Sequence, residues 1–245
     1  MRTYAIGDIH GHLDKLQAAH RLIAQDRAEQ SDSGAPVVHV GDLVDRGPDS
    51  RGVLSFLLAG LERGEPWVVL KGNHDRMFSG FLEDPDYHDP GLRAELNWIH
   101  PRLGGSETLA SYGVDGVGER YMTDLAAEAR RKVPVAHRDF LAGLETSFAR
   151  GEAVFVHAGI RPGVPLAQQT ETDLIWIRAP FLDDSRDHGA LVVHGHTPVD
   201  QVTHYGNRLN IDTGAGYGKA LSAIVIEGQK VFLLSPRGRV PLRHE

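Results

Sequence analysis

Cysteine is absent from the 245-residue chain. Without a thiol, the protein can form no disulfide, no thiolate zinc site, no iron–sulfur cluster and no cysteine nucleophile. A metal site in this chain has to be built from oxygen and nitrogen ligands.

Long apolar stretches and basic runs are also missing. No apolar segment approaches the roughly 20 residues that a membrane helix needs. Lys and Arg number 26 against 33 Asp and Glu, a net charge of −7 that disfavours nonspecific binding to a nucleic-acid backbone. The strand predicted at residues 4–6 leaves no room for a signal peptide before it. We therefore expect a cytoplasmic protein without a membrane or nucleic-acid partner.

The remaining composition is that of a globular protein, with 41% hydrophobic and 24% charged residues. The length suits a single domain spanning residues 1–245. Short apolar runs at 4–6, 37–40 and 67–70 are each followed within two residues by glycine, and the first two precede stretches of helical periodicity. This alternation predicts a βαβαβ unit with crossover helices over a sheet.

The strand pattern lapses between about residues 76 and 145. An acidic, proline-containing loop at 83–86 precedes helix-favouring segments such as 124–132, which predicts a helical insertion. Five later segments are predicted to be strands, and residues 227–229 are predicted to form a hairpin turn. The predicted strands are 153–156, 191–193, 208–211, 220–226 and 230–234.

Each strand predicted in the first half runs into a small polar motif. The motifs are Gly-Asp-Ile-His-Gly at 7–11, Gly-Asp-Leu-Val-Asp-Arg-Gly at 41–47 and Gly-Asn-His-Asp at 72–75. The carboxyl ends of neighbouring strands line a common crevice in an open α/β sheet. Asp8, His10, Asp42 and Asn73 can therefore converge although they are far apart in sequence.

Later strands deliver histidines in the same way, with His157 after one and His194 and His196 after another. An isolated Gly-Asp or His-Gly pair would be an ordinary turn, and a lone histidine would more often be buried and structural. The ordered set instead favours a site for manganese, iron or zinc over calcium. It holds more ligands than one tetrahedral ion uses, so two metals sharing a carboxylate fit better, as in enzymes that cleave phosphate esters.

The order of these motifs closely resembles the phosphoprotein phosphatase family of calcineurin-like metallophosphoesterases. The resemblance spans most of the chain and is greatest to the bacterial and phage serine/threonine phosphatases. The sequence is also similar to bacterial diadenosine tetraphosphatases. The resemblance implies an α/β fold, α+β in some schemes, in which the βαβαβ core belongs to a two-sheet sandwich flanked by helices.

The resemblance also implies two ligand sets that share Asp42. One metal would be held by Asp8, His10 and Asp42, and the other by Asp42, Asn73, His157 and His196. Manganese is the expected ion, with iron or zinc as alternatives. His194 has no ligand counterpart in the family. Pro198 stands where related nucleases and phosphodiesterases carry another ligand histidine, which favours the phosphatase branch.

Four further residues complete the expected chemistry. Water between two divalent ions loses proton affinity, so hydroxide can attack phosphorus directly. Arg46 and Arg178 are expected to bind the phosphate, although Arg178 could instead form a surface salt bridge. His74 is placed to protonate the leaving alkoxide, with Asp45 orienting its imidazole, as the family's acid pair does. Asp75 could equally orient that loop.

Other features are less specific. The glycine-rich segment 212–218 lacks the ending of a nucleotide-binding loop and is expected to form a rim of the active site. Three lone aromatic residues could line the cleft, although packing is the commoner role: Trp98, Tyr112 and Tyr217. Three arginines form a basic C-terminal tail that we expect to be solvated: Arg237, Arg239 and Arg243.

We therefore expect a dinuclear-metal-dependent phosphatase that hydrolyses phosphomonoesters of phosphoserine and phosphothreonine in proteins, through metal-bound hydroxide. The alternatives are a bis(5'-nucleosyl)-tetraphosphatase and a broad-specificity phosphoesterase. Asp45 favours the first, since diadenosine tetraphosphatases often have alanine at this position. A catalytically silent binding module would be expected to have lost metal ligands, and no expected ligand is missing from this sequence.

Overall fold

The computed structural model describes residues 1–31 and 34–244. Eleven strands lie in these ranges: β1 (Arg2–Ile6), β2 (Val37–His39), β3 (Trp67–Val69), β4 (Ser147–Arg150), β5 (Ala153–Val156), β6 (Leu191–His194), β7 (Thr203–His204), β8 (Arg208–Asn210), β9 (Ala223–Glu227), β10 (Lys230–Ser235) and β11 (Gly238–Leu242). The α-helices are α1 (Leu13–Glu29), α2 (Ser50–Glu62), α3 (Asn73–Glu83), α4 (Gly105–Ser111), α5 (Met122–Lys132), α6 (Val135–Ala142) and α7 (Glu171–Trp176). None of the helices in the described ranges combines the length and apolar character needed to cross a bilayer.

The first sheet confirms the predicted βαβαβ unit. Its strands lie in the order β11-β10-β9-β1-β2-β3, and β1, β2 and β3 are parallel. Alternation along β1 separates two cores, because successive side chains point to opposite faces. Tyr4 and Ile6 pack beneath the helices, whereas Ala5 faces the second sheet.

The second sheet has the order β4-β5-β6-β8-β7, with β5, β6 and β8 parallel. Phe155 and Val193 from this sheet pack against Val38 and Ile224 from the first. The outer face of the second sheet is covered by a smaller core around Phe181. The expected two-sheet α/β sandwich with flanking helices is therefore confirmed, and the carboxyl ends of both sets of parallel strands meet at one edge.

Four helices, α3 to α6, lie between β3 and β4. Helix α3 begins at Asn73, inside the third polar motif, so this motif forms the first turn of a helix rather than a loop. Residues 84–104 then run to α4 without a helix or strand. The short elements β4, β7, β11 and α7 had no distinct sequence signal.

The prediction of a fully solvated basic tail is wrong for Arg239. Its Nε and Nη2 donate to Asp26 Oδ1 and Oδ2 at 2.6 and 2.8 Å, and Glu227 lies 3.0 Å away. The Arg239 side chain is only 14% exposed. A two-point bond between a guanidinium and a carboxylate fixes geometry as well as charge. Arg239 therefore joins β11 to α1, a contact between residues 213 positions apart.

Two histidines lie between the helices and the first sheet. The Nε2 atoms of His20 and His39 are 3.0 Å apart, and His39 Nδ1 lies 3.2 Å from the Val68 carbonyl oxygen. His39 thus donates to that carbonyl and accepts from His20. Burial lowers the pKa of His39 to about 4. Burial, with His39 adjacent, lowers the pKa of His20 to about 2.

These histidines should make the fold acid-sensitive. The unfolded chain binds a proton at each histidine below about pH 6.5, where the folded chain keeps His20 neutral, so stability is lost as the pH falls. At pH 5 the penalty for His20 is about 2 kcal/mol. His20→Gln can still donate to His39 but does not titrate. The free energy of unfolding is measured with urea at pH 7.5 and at pH 5. Its decrease between these pH values should be about 2 kcal/mol smaller in this variant than in the unchanged protein.

The matched control is His88→Gln, which changes an exposed histidine. Its loss of stability between the two pH values should equal that of the unchanged protein. An equal loss in His20→Gln as well would contradict the assignment of acid sensitivity to the buried pair.

Candidate active site

The fold brings all six predicted metal ligands to one edge, where β1, β2, β3, β5 and β6 end. Each of them is at most 7% exposed: Asp8, His10, Asp42, Asn73, His157 and His196. Residues separated by up to 188 positions are in direct contact there. The convergence follows from parallel strands whose carboxyl ends share one crevice.

Asp42 occupies the middle of this cluster. Its Oδ2 lies 3.4 Å from His10 Nε2, and its Oδ1 lies 3.3 Å from His157 Nε2. Two groups of potential metal ligands share this carboxylate, His10–Asp42–His74 on one side and Asp42–His157–His196 on the other. Within each group the ligand atoms lie within 4.8 Å of one another. One carboxylate thus stands between two adjacent groups of potential ligands.

Backbone carbonyls orient two of the imidazoles. His10 Nδ1 lies 3.0 Å from the Val44 carbonyl oxygen, and His157 Nδ1 lies 3.0 Å from that of Val40. Since a carbonyl only accepts, each Nδ1 carries a proton, and Nε2 is the nitrogen that faces the centre and is placed for a metal. This arrangement is typical of metal-binding histidines, whose other nitrogen is held by an outer partner.

Asn73 and Asp8 complete the cluster. Asn73 Oδ1 lies 3.0 Å from His157 Nε2 and 2.9 Å from His196 Nδ1. Asp8 Oδ2 accepts from the His196 backbone N–H at 2.9 Å. Asp8 Oδ1 and His196 Nε2 are buried without a hydrogen-bond partner in the described part of the chain. Unsatisfied buried polar atoms are costly, and a bound cation would satisfy both, so the donor set fits divalent metals.

The charges in the cluster also favour a cation. Burial raises the pKa of Asp8 well above its ordinary value, and neighbouring Asp212 adds to the rise. Burial opposes ionisation of Asp42 too, but His157 and His74 hold its pKa well below the ordinary value. Burial disfavours a charged His157, yet Asp42 and Asp8 raise its pKa to about 9. The ionised state of these buried carboxylates thus depends on nearby positive charge.

Backbone strain is concentrated at this edge. Six non-glycine residues within the described ranges have left-handed φ angles, and five belong to the site. These are His10, Asp42, Asp45, Arg46 and His196, with φ of 47°, 50°, 75°, 67° and 66°. Each such residue costs on the order of 1–3 kcal/mol, which the surrounding packing has to offset. Sharp turns after the strands are what bring these side chains together in one cluster.

His74 and Asp45, the predicted acid pair, are in direct contact. His74 Nδ1 lies 2.6 Å from Asp45 Oδ2, and both residues are buried. Arg46 adjoins the pair, with Nη2 3.1 Å from His74 Nε2 and Nη1 2.6 Å from His10 Nε2. To donate a proton from Nε2, His74 must exchange Arg46 for the leaving oxygen. To bind a metal through Nε2, His10 must likewise give up its contact with Arg46.

The glycine-rich segment 212–218 borders this cluster. An ideal Cβ on Gly216 would lie 2.6 Å from His10 Cδ2, so this backbone rests on the imidazole. Tyr217 stacks on Arg46, with the guanidinium carbon 4.6 Å from the ring centroid, and is 61% exposed. The packing interpretation is therefore wrong for Tyr217.

Arg178, the second predicted phosphate ligand, is exposed. Although the residue is exposed, its guanidinium is partly buried, and this burial lowers its pKa. The charges of Arg93 and Arg46 lower the pKa further, whereas Asp42 and Tyr217 oppose the shift.

Two open questions from the sequence have structural answers. Asp75 is fully buried and accepts from the backbone N–H groups of Leu43 and Gly72 at 2.9 and 2.8 Å, which ties two motifs together. Burial and the charge of Asp42 raise the pKa of Asp75 to about 7.

His194 is fully buried, and its Nδ1 lies 3.1 Å from the Gly195 carbonyl oxygen. It belongs to neither group of potential ligands.

Comparison with known proteins matches this geometry to a family. Residues 1–217 match the family described as calcineurin-like phosphoesterase. The chain belongs to the calcineurin-like phosphoesterase family. The family resemblance noted in the sequence is thereby confirmed. Phosphoesterases of this family depend on two metals, in agreement with the paired ligand groups.

Individual relatives of this phosphoesterase carry different names. The asymmetrical bis(5'-nucleosyl)-tetraphosphatase PrpE of Geobacillus thermodenitrificans is 28% identical over 247 residues, covering 91% of this chain and 90% of the relative. Serine/threonine-protein phosphatase 1 of Salmonella typhimurium is 28% identical over 234 residues, covering 92% of both. The crystal structure of a cold-active protein-tyrosine phosphatase from Shewanella has a TM-score of 0.65 at 17% identity, covering 99% of this chain and 80% of that one.

Two contacts of the phosphoesterase site escaped prediction. Trp98 and Thr108 both donate to the Asp45 carboxylate, at 2.8 and 2.7 Å. Trp98 is buried, as the packing interpretation expected, but it also bonds to the acid pair. No local sequence signal marks either contact, because each partner lies more than 50 positions from Asp45.

Gly195 has a measurable structural role in this phosphoesterase. An ideal Cβ at this position would lie 1.9 Å from Asp8 Oδ1. Gly195→Ala should displace the Asp8 carboxylate and lower manganese affinity about 10- to 100-fold, the range seen when a ligand loses its positioning. The affinity is measured by metal titration with fluorescence or calorimetric readout. Gly34→Ala is the control, since no atom of residues 1–31 or 34–244 lies within 4 Å of a Cβ there. Unchanged affinity in Gly195→Ala would contradict the role of Asp8.

Proposed function

We propose that this phosphoesterase removes phosphate from phosphoserine and phosphothreonine in cytoplasmic phosphoproteins. The buried Asp45–His74 pair beside the candidate metal ligands carries this proposal. An alkoxide leaving a serine or threonine ester is a strong base and needs a proton as it departs. A nucleotide phosphate leaving a polyphosphate chain is a much weaker base and needs none. A dedicated proton donor therefore favours monoester substrates with poor leaving groups.

The proposed roles follow from position. Asp8, His10 and Asp42 would hold one divalent ion, and Asp42, Asn73, His157 and His196 the other, with manganese as the proposed ion. When bound, two such ions supply an activated water and offset the charge of the phosphoryl oxygens. Arg46 and Arg178 would bind the phosphate oxygens through their guanidinium groups. His74 would hold a proton at Nε2 for the leaving oxygen, while Asp45 fixes its ring through Nδ1.

A second candidate is hydrolysis of a dinucleoside tetraphosphate. The exposed ring of Tyr217 beside Arg46 favours it, because an aromatic side chain next to a phosphate-binding group can stack on a nucleobase. Arg93 lies within electrostatic range of Arg178 and would add a third cation for a longer phosphate chain. The PrpE relative carries the name of this activity.

The experiment compares initial rates of the manganese-loaded protein on a phosphothreonine peptide and on diadenosine tetraphosphate, with Asp42→Asn as the blank. Faster turnover of the peptide would support the proposal. Predominant cleavage of the dinucleotide would replace it with the second candidate. Activity on an aryl phosphate with neither natural substrate cleaved would reject both.

A further inference from the structure

The Asp45 carboxylate receives more than the single bond to His74. It is completely buried. Its Oδ2 is shared between His74 Nδ1 at 2.6 Å and Trp98 Nε1 at 2.8 Å, and its Oδ1 accepts from Thr108 Oγ1 at 2.7 Å. Both carboxylate oxygens are thus bonded, and their directions are determined by three different side chains. A buried ion held in this way has little freedom to rotate.

Trp98 is itself held rigidly. Its indole stacks on Phe78 with ring centroids 5.2 Å apart and contacts Phe81 at 4.8 Å. An ideal Cβ on Gly105 would lie 2.6 Å from Trp98 Cε2, so the backbone of α4 closes against the ring. The Nε1–H of this packed ring points at Asp45 Oδ2. Trp98 is 4% exposed, which keeps water from replacing this donor.

Thr108 holds the same residue from the other side. Its hydroxyl accepts from the Asp45 backbone N–H at 2.8 Å and donates to the carboxylate. Ser50 Oγ lies 2.9 Å from Thr108 Oγ1 and 3.1 Å from the Asp45 nitrogen. This network holds Asp45 in its left-handed conformation, with φ of 75°. Thr108 therefore bonds to both the backbone and the side chain of Asp45.

Trp98 and Thr108 both belong to the segment between β3 and β4, at sequence distances of 53 and 63 from Asp45. We propose that they are positioning residues of the proton-donating pair, through which this helical segment sets the orientation of Asp45 and so of the His74 imidazole. The inference rests on the proposed role of His74 as a proton donor. It gives the helical segment a part in the selection of substrates with poor leaving groups.

The test uses the leaving group as its readout. Trp98→Phe keeps an aromatic ring but removes the N–H donor, and Thr108→Val keeps the shape but removes the hydroxyl. Initial rates are measured on a phosphothreonine peptide and on 4-nitrophenyl phosphate, whose leaving group needs no proton. We expect each variant to lose about 10-fold on the peptide, as one buried hydrogen bond is worth about 1–1.5 kcal/mol, and less than about 2-fold on the aryl ester.

Three controls distinguish a positioning role of Trp98 and Thr108 from a general loss of folding or activity. Thr108→Ser retains a hydroxyl and should restore the peptide rate. Tyr112→Phe removes another buried hydroxyl of the same segment, one that contacts His137 at 2.7 Å, and should leave the ratio of the two rates unchanged. Trp98→Phe added to Asp45→Asn should cause no further loss on the peptide, because residues that act as a unit are not additive.

The outcomes are distinguishable. Equal losses on both substrates, in variants whose folding and manganese content match the parent, would overturn the positioning role while leaving the proposed function intact. Absence of alkyl phosphatase activity in the parent protein would overturn the proposed function and this inference together. A selective loss on the peptide in both variants, with rescue by Thr108→Ser, would support it.

Discussion

Replacing His74 by asparagine is expected to lower turnover of a phosphothreonine peptide by about 10²-fold or more. The asparagine side chain cannot deliver a proton to the departing oxygen, which then leaves as a high-energy alkoxide. Turnover of 4-nitrophenyl phosphate should fall far less, because 4-nitrophenolate leaves without a proton. The measurement is kcat on both substrates with manganese-loaded protein.

Asp45→Asn is the companion variant, since it keeps the size of the side chain but removes the negative charge 2.6 Å from His74 Nδ1. It should reproduce the selective loss on the peptide. The control is His100→Asn, which changes a histidine outside the cluster and should leave both rates unaltered. If His74→Asn slowed the peptide and the aryl ester equally, His74 would not be the proton donor.

The second large effect is expected for Asp42→Asn. One carboxylate charge about 4 Å from a cation is worth roughly 4 kcal/mol at an effective dielectric constant of 20, which corresponds to about 10³ in an equilibrium constant. Asp42 lies between both groups of potential ligands, so its loss should weaken both sites. We expect activity to fall by at least about 10³-fold and bound manganese to fall below two per chain, measured by elemental analysis after gel filtration.

Asparagine suits this test because it tolerates the left-handed conformation that Asp42 adopts at φ of 50°. The backbone should therefore keep its shape while the charge is lost. Asp86→Asn, at an exposed position, controls for the change in net charge. Two manganese ions retained per Asp42→Asn chain, with normal turnover, would show that this carboxylate does not join the two metal sites.

The candidate site was predictable to a large extent because its chemistry lies at the ends of strands. The runs before Asp8, Asp42 and Asn73 are short and apolar, and each is followed by glycine-flanked polar residues. Parallel pairing of β1, β2 and β3 then brings these ends together without further information. The order of the later histidines follows from the same rule applied to β5 and β6.

Side-chain roles that depend on packing could not be predicted. The sequence left Tyr217 between a place in the cleft and a place in the core, and only the turn of its backbone over His10, which leaves the ring 61% exposed against Arg46, decides between them. Arg239 has the context of a solvated tail, but the pairing of β11 with β10 carries it to Asp26. Neither outcome is encoded in neighbouring residues, because each partner lies in another element of the fold.

The sequence by itself determined the α/β class and predicted two metal-ligand sets and a pairing of His74 with Asp45, since short apolar strands and the polar motifs that follow them are local patterns. Only the tertiary structure decided what holds that pair. Trp98 and Thr108 approach Asp45 because α4 packs against α2, the helix that follows the Asp45 motif, and their bonds depend on side-chain directions at distances of 2.8 and 2.7 Å. Hydrogen bonds of this kind require distance and angle together, which no residue pattern specifies.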